Sequence, residues 1–455
     1  MKVVQTLLAL VLLGVSAPAV SAQEAEVSLP YEMHRLSNGL TVILHEDHSV
    51  PMVAVNVWYH VGSGYERPGR TGFAHLFEHI MFEGSGNVKE GDFDNLLEAA
   101  GGNNNGSTNP DRTNYYEIVP SNALDIALFL ESDRMGYLLD AMSPEKVDGQ
   151  RDVVKNERRQ SYENRPYGMA WQTIGEHLYP EDHPYHWPTI GYMEDLTAAS
   201  YEDVVDFFNN YYSPNNASLV IAGDIDPVET MERVRYWFEE IPAGPAVVPP
   251  GAPSFQLEKP EYLVLEDQVQ LPRIYLTYQT PPIFSPGDAE MDVVGSILAG
   301  GKNSRLYKRL VFELGIAQDV SAFQNSQKQG SSFIIIATAR PGHSLDELVN
   351  VIDEEIQKLK DEAPQDRELQ RFVNQNQTDF LRGSQSLLAR ADALNRYYYY
   401  TGNPDWANED LNRYRALSTK DISAATRRFL DPARRIVLSI VPEGQQQLAV
   451  TEKSN

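Results

Sequence analysis

Cysteine is absent from all 455 residues of the chain. Its absence excludes disulfide staples, thiolate metal ligands, a cysteine nucleophile and lipid attachment through sulfur. Basic residues are scarce as well: 38 Lys and Arg stand against 64 Asp and Glu, a formal net charge of −26. A surface of that sign repels nucleic-acid phosphates and anionic membranes, so neither is expected as a partner. An acidic chamber selecting basic peptides would also use such charge, but a solvated acidic surface is the simpler account. Beyond the N-terminal stretch, no segment approaches the roughly twenty consecutive apolar residues of a bilayer span, which argues against stable membrane insertion.

What is present is first an N-terminal address. Met1-Lys2 is followed by an apolar run from Val3 to Val15 and then Ser16-Ala-Pro-Ala-Val-Ser-Ala22. A charged start, a short apolar run and small residues predict a signal peptide over residues 1–22, cleaved after Ala22. An exported chain without cysteine suits a bacterial periplasm. Hydrophobic residues make up 42% and charged residues 22%, the composition of a globular chain long enough for two or three domains.

Proline and glycine crowd the stretch Ile241–Pro253, which predicts a linker over 241–256 between an N-terminal domain, 23–240, and a C-terminal domain, 257–455. The two halves read as distant copies of one unit. Leu40–Leu44 and Val53–Trp58 predict strands leading into a helix around His75. Tyr262–Glu266 and Arg273–Tyr278 lead likewise into a helix over Ala289–Leu298. Late strands recur too, Ala217–Ala222 in one half and Arg435–Val441 in the other. The alternation of strands and helices predicts an α+β fold with helices covering a sheet in each half.

The richest chemistry lies in Thr71-Gly-Phe-Ala-His75-Leu-Phe-Glu78-His79-Ile-Met-Phe-Glu-Gly84, an H-x-x-E-H arrangement. On a helix, His75 and His79 share one face and can reach a single ion, with Glu78 close enough to hold a water on it. Two neutral imidazoles, a carboxylate base and an open position are the parts of a hydrolytic zinc site, here in the inverzincin order. The surrounding Ala74, Leu76, Phe77, Ile80, Met81 and Phe82 are apolar, so burying this polar trio there is costly unless a metal satisfies it. A third protein ligand is needed. Glu157, after Val153-Val154 on a charged amphipathic helix, is a candidate, although on the residues alone it reads as part of a solvated face.

Gly62-Ser63, Glu66, Gly72, Ala74-His75, Glu78-His79, Phe82 and Gly84 resemble the opening of the pitrilysin-type peptidases, family M16. This family includes insulin-degrading enzyme, the mitochondrial processing peptidase and bacterial two-domain members. The resemblance continues through Gly101-Gly102, Asn105–Thr108, Asp111, Thr113 and Tyr115, then His183-Pro-Tyr, Ile190-Gly191, Tyr212–Ala217 and Ala222-Gly-Asp224. It is dense over the first half and looser over the second. It implies that Glu157, in its Arg-Asp-Val-Val-x-x-Glu setting, completes a site for one zinc ion per chain. It also implies that Asn105, Gly106 and Ser107 lie on a strand edge that pairs with peptide substrates, a stretch that could otherwise be a Gly/Asn-rich turn. The two homologous domains, each a mostly antiparallel sheet flanked by helices, are then expected to face each other as a clamshell around a chamber.

Two departures from the family pattern matter. Active single-chain members carry an arginine and, seven residues on, a tyrosine that hold the substrate carbonyl; here those positions are Val311 and Gln318. Valine has no donors, and an amide is a weaker substitute for a phenol. The expected consequence is a catalytic subunit paired with a homologous non-zinc chain that supplies the missing pair; drift at these positions with function retained is the alternative. Gln150 also stands where many relatives have an auxiliary glutamate. The expected function is a zinc-dependent endopeptidase acting on unfolded peptides; a structural or peptide-binding subunit that keeps the fold is the alternative. Two other features read as structural: His183-Pro-Tyr-His186 as an ordered loop, and the run Tyr397–Tyr400 as partly packed rings on a helix.

Overall fold

The computed structural model describes residues 27–452, so the expected signal peptide lies outside the described residues. The first sheet contains β1 (Glu32–Arg35), β2 (Thr41–Glu46), β3 (Met52–Tyr59), β4 (Asn103–Thr108), β5 (Thr113–Pro120) and β6 (Ala217–Gly223), in the order β1-β2-β6-β3-β5-β4. The second contains β7 (Glu261–Asp267), β8 (Arg273–Thr280), β9 (Ala317–Asn325), β10 (Ser331–Ala339) and β11 (Arg435–Pro442), in the order β7-β11-β8-β10-β9. Each sheet is antiparallel except for one parallel pair, β2 with β6 and β7 with β11. Without β1, the first order maps onto the second strand for strand. The repeat suggested by hydrophobic patterning is therefore a repeat of topology, and the fold is α+β with two homologous units.

The helices that matter below are α1 (Phe73–Ile80), α2 (Pro144–Arg158), α3 (Ala170–Leu178), α4 (Asp288–Ala299) and α5 (Leu387–Thr401). Central strands read as continuous apolar runs because both faces of each sheet are covered. One face of the first sheet, through Val42, Leu44, Val55 and Ile221, packs on helices of its own half, α1 among them. Its other face, through Ile43, Ala54, Val220 and Ala222, is covered by Ala391, Leu394 and Tyr397 of α5, which comes from the second half. The second sheet is treated reciprocally: Ile334, Ile436, Leu438 and Ile440 pack on Ala170, Ile174 and Leu178 of α3, which comes from the first half. The two halves of the clamshell thus do more than face each other, because each lends the other a helix.

The exchange is also polar. Buried Asn395 on α5 donates to Asn56 O (2.9 Å) and accepts from Ser218 Oγ (2.7 Å), meeting two strands of the other half. Residues 242–260 form neither helix nor strand, where the sequence predicted a linker. Asn215 anchors the start of that stretch, accepting from Gly244 N (2.7 Å) and donating to Gly244 O (3.2 Å). Among the described residues no helix is long and apolar enough to cross a membrane.

Candidate metal centre

Helix α1 buries Phe73, Ala74, Leu76, Phe77 and Ile80, which leaves His75, Glu78 and His79 on its other side. Its start is fixed by Glu66, whose carboxylate accepts from Gly72 N (2.9 Å) and Ala74 N (2.7 Å). A carboxyl oxygen at that position satisfies otherwise orphan amides of the first turn. Burial pushes the Glu66 carboxyl well above its ordinary value, and the helix amides oppose that shift. Gly72 has a left-handed φ of 87°, and a Cβ there would lie 2.7 Å from Ile190 O, so only glycine admits this entry into the helix.

The two imidazoles meet edge to face, with ring centroids 4.9 Å apart. Glu157, at the penultimate position of α2, reaches both: Oε1 lies 3.8 Å from His75 Nε2 and Oε2 lies 3.3 Å from His79 Nε2. One ligand atom from each of the three residues falls within 4.8 Å of the others, and no other His, Asp or Glu group among the described residues converges in this way. The structure therefore brings Glu157 out of the solvated face that its local sequence suggested.

The donor set fits zinc. Two nitrogens and one carboxylate oxygen are the ligand types of a three-protein-ligand hydrolytic site. Burial holds the His75 imidazole below its ordinary pKa, which favours the neutral form that ligates. The hydrogen bond with His79 holds the Glu157 carboxyl below its ordinary pKa, which favours the charged form. His75 Nδ1 is buried without a hydrogen-bond partner among the described residues, so burial and not a second hydrogen bond holds the ring in place. Side-chain exposure rises from 14% at His75 to 26% at His79 and 39% at Glu157, so the cluster opens toward solvent on the Glu157 side.

Glu78 is half-buried, and Thr108 Oγ1 donates to its Oε2 at 2.7 Å. Sequence reasoning did not assign a role to Thr108, because nothing local links it to a residue on α1. Thr108 ends β4, which is a strand rather than a turn and forms the open edge of the first sheet. Gly106 faces Glu78 closely: an added Cβ would lie 3.2 Å from Glu78 Cγ. Asn105 Oδ1 accepts from Gly106 N (2.7 Å), while Ser107 Oγ turns inward to Asn114 Oδ1 (2.6 Å).

In the second half, Val311 is buried in the apolar core, and Gln318 is exposed on the edge strand β9, the counterpart of β4. Gln150 donates to Glu83 Oε1 (2.6 Å), and burial raises the Glu83 carboxyl. A glutamate at position 150 would set two carboxylates against each other, which gives the amide a physical reason. His183 and His186 are used in their loop: His183 Nδ1 accepts from Tyr185 N (3.1 Å), and His186 Nδ1 contacts Tyr179 O (2.8 Å). The run Tyr397–Tyr400 is more engaged than the sequence suggested. Its four hydroxyls contact Asp410, Thr41, Asp111 O and the Asp111 carboxylate.

The chain is 29% identical over 374 residues to the zinc protease PqqE of Helicobacter pylori, covering 80% of this chain and 83% of that one. It superposes on the crystal structure of a protease from Helicobacter pylori with a TM-score of 0.85 at 26% identity, over 91% of this chain and 99% of the other. It shares its fold with the periplasmic protease PqqL of Escherichia coli (TM-score 0.76, 18% identity), over 94% of this chain but only 49% of PqqL. Residues 41–177 match the model of the insulinase family, peptidase family M16, and residues 198–376 match that of the M16 inactive domain. The chain belongs to peptidase family M16.

Proposed function

We propose that this chain is the metal-bearing subunit of an exported, zinc-dependent endopeptidase that hydrolyses unfolded peptides, with one Zn²⁺ per chain. The observation that carries this reading is the convergence of His75, His79 and Glu157 beside a glutamate oriented by the open edge of a sheet. His75, His79 and Glu157 would hold the zinc ion, which would supply a Lewis acid and make water more acidic. Glu78 takes the proton of the attacking water and returns it to the leaving amine. Thr108 keeps its carboxylate turned toward the edge strand. An extended substrate adds to β4 by strand pairing along Asn105, Gly106 and Ser107. The Gly106 N–H is held by the Asn105 side chain, so a substrate carbonyl that takes this donor displaces Asn105 Oδ1.

Val311 and Gln318 provide neither the arginine nor the tyrosine of single-chain relatives. A homologous chain without zinc ligands supplies them across a shared chamber. The likeness to PqqL supports pairing at the level of fold, since a unit of this size accounts for about half of that chain. The N-terminal Met1–Ala22 pattern and the periplasmic origin of that neighbour support action in the periplasm.

The test is co-expression with a homologous chain that lacks the zinc ligands and carries the arginine and tyrosine, followed by cleavage of quenched peptides with and without a chelator. Cleavage by the pair, lost on chelation and restored by stoichiometric zinc, is the expected result. Glu78→Gln in that pair retains zinc and loses about 10²- to 10⁴-fold in kcat. Full activity of the isolated chain would contradict the shared site. A zinc-loaded pair that cleaves nothing would contradict the peptidase reading itself.

A further inference from the structure

The turn that follows β4 contains a carboxylate whose position the catalytic proposal does not use. Asp111 is only 4% exposed, at the tip of the β4–β5 hairpin, where a side chain ordinarily meets solvent. Tyr185 donates its hydroxyl to Oδ1. Lys328 N (3.1 Å) and the Tyr400 hydroxyl (3.2 Å) donate to Oδ2. The Tyr399 hydroxyl donates to the main-chain carbonyl of the same residue (2.7 Å). Three of these four donors belong to the second half of the molecule: Lys328 lies in the β9–β10 turn, and Tyr399 and Tyr400 end α5. The fourth is tied to the second half as well, because the Tyr185 oxygen accepts from Gln329 N (2.9 Å).

The turn itself is braced by its own hydrogen bonds. Asn109 Oδ1 accepts from Asp111 N (2.8 Å) and Arg112 N (2.9 Å), and Arg112 Nη1 donates back to Ser107 O (2.8 Å). Ser63 N and Gly64 N grip its carbonyls from below, at Asn109 O (3.2 Å) and Pro110 O (2.8 Å). A continuous set of hydrogen bonds thus runs from Asp111 through Asn109 and Arg112 to Ser107, and the next residue, Thr108, donates to Glu78. A buried carboxylate is a poor way to stabilise a hairpin tip, because desolvation offsets most of what its donors contribute. Its directional bonds fix geometry instead.

We propose that Asp111 is a positioning residue for peptide hydrolysis: it fastens the hairpin of the substrate-pairing strand to the metal-free half and so holds β4 in register and Glu78 in orientation. This rests on the peptidase reading above. It gives the metal-free half a task inside this chain, that of a clamp on the catalytic edge.

The test compares the full zinc-loaded chain, with its partner subunit, as wild type and as Asp111→Asn, Tyr400→Phe and Thr108→Val. Asp111→Asn is expected to leave zinc at one per chain, to speed hydrogen exchange of the Asn103–Thr108 amides about tenfold, and to raise KM and lower kcat about tenfold each. Tyr400→Phe shifts the same quantities less. Thr108→Val lowers kcat with little change in KM, and combined with Asp111→Asn its effect on kcat is not additive. A role confined to stability would lower the melting temperature while leaving KM, kcat and strand exchange as in wild type, and that result overturns the proposal. If Asp111→Asn does not fold, Tyr400→Phe and Tyr185→Phe decide by the same readouts. If the wild-type complex cleaves nothing, the peptidase reading fails separately; unchanged exchange over Asn103–Thr108 then overturns the clamp, and faster exchange supports the hold of Asp111 on β4.

Discussion

Glu78 accepts a hydrogen bond from a hydroxyl thirty positions downstream, that of Thr108. Replacing that hydroxyl by a methyl, as in Thr108→Val, removes the bond at nearly constant volume. The loss of a hydrogen bond to a charged group corresponds to about 1.5–3 kcal/mol, or roughly 10- to 100-fold in kcat. Steady-state kinetics with metal content measured on the same sample checks this, and kcat unchanged at full zinc would remove Thr108 from the site. At this scale the sequence was legible where the chemistry is local. His75, Glu78 and His79 sit within five consecutive residues of one helix, and helical periodicity alone puts the histidines together. Glu157 was not legible from its own surroundings, because its neighbours on α2 are charged and its partners lie on another helix. The residues made it one candidate among many acidic positions, and the family resemblance singled it out. Thr108 and Asp111 were visible as parts of that resemblance, but their roles depend on which atoms the hairpin tip meets in space.

Elements tell a different story from residues. The strand runs were readable because both faces of each sheet are covered, which leaves nearly unbroken apolar stretches such as Val53–Trp58 and Arg435–Val441. What covers them was not readable. An amphipathic pattern shows that α5 buries a face, not that the face belongs to the other half's sheet. The four tyrosines at the end of α5 were expected to divide between packing and surface; in the fold, each has its hydroxyl engaged, and three of the four reach into the first half. Leu394 is fully buried in this exchanged contact. Leu394→Ala is expected to cost about 2–5 kcal/mol. Chemical denaturation checks the magnitude, and a loss below about 1 kcal/mol would mean that α5 contributes little to holding the halves together.

The molecule as a whole is one interlocked body built from two copies of a unit. Composition, patterning and the Pro/Gly-rich stretch led to two copies with a linker between them, and the topology repeats accordingly. The exchange of α3 and α5 adds something a linear reading cannot supply: cutting at the linker separates each sheet from a helix that covers it. Residues 23–240 and 257–455 expressed separately are therefore expected to remain incompletely folded, and to recover structure when mixed or co-expressed. Circular dichroism and exchange protection of each fragment check this, and a cooperative melt of either half alone would contradict it.

At the same scale, the proposed function requires that α1 and α2 hold one metal ion between them. The most direct measurement is anomalous scattering at the zinc edge from crystals of the full-length chain. One peak per chain is predicted, about 2.0–2.2 Å from His75 Nε2, His79 Nε2 and a Glu157 carboxylate oxygen, and lost in His79→Ala. A zinc peak at any other place, or a peak at full height in crystals of His79→Ala, would contradict the account.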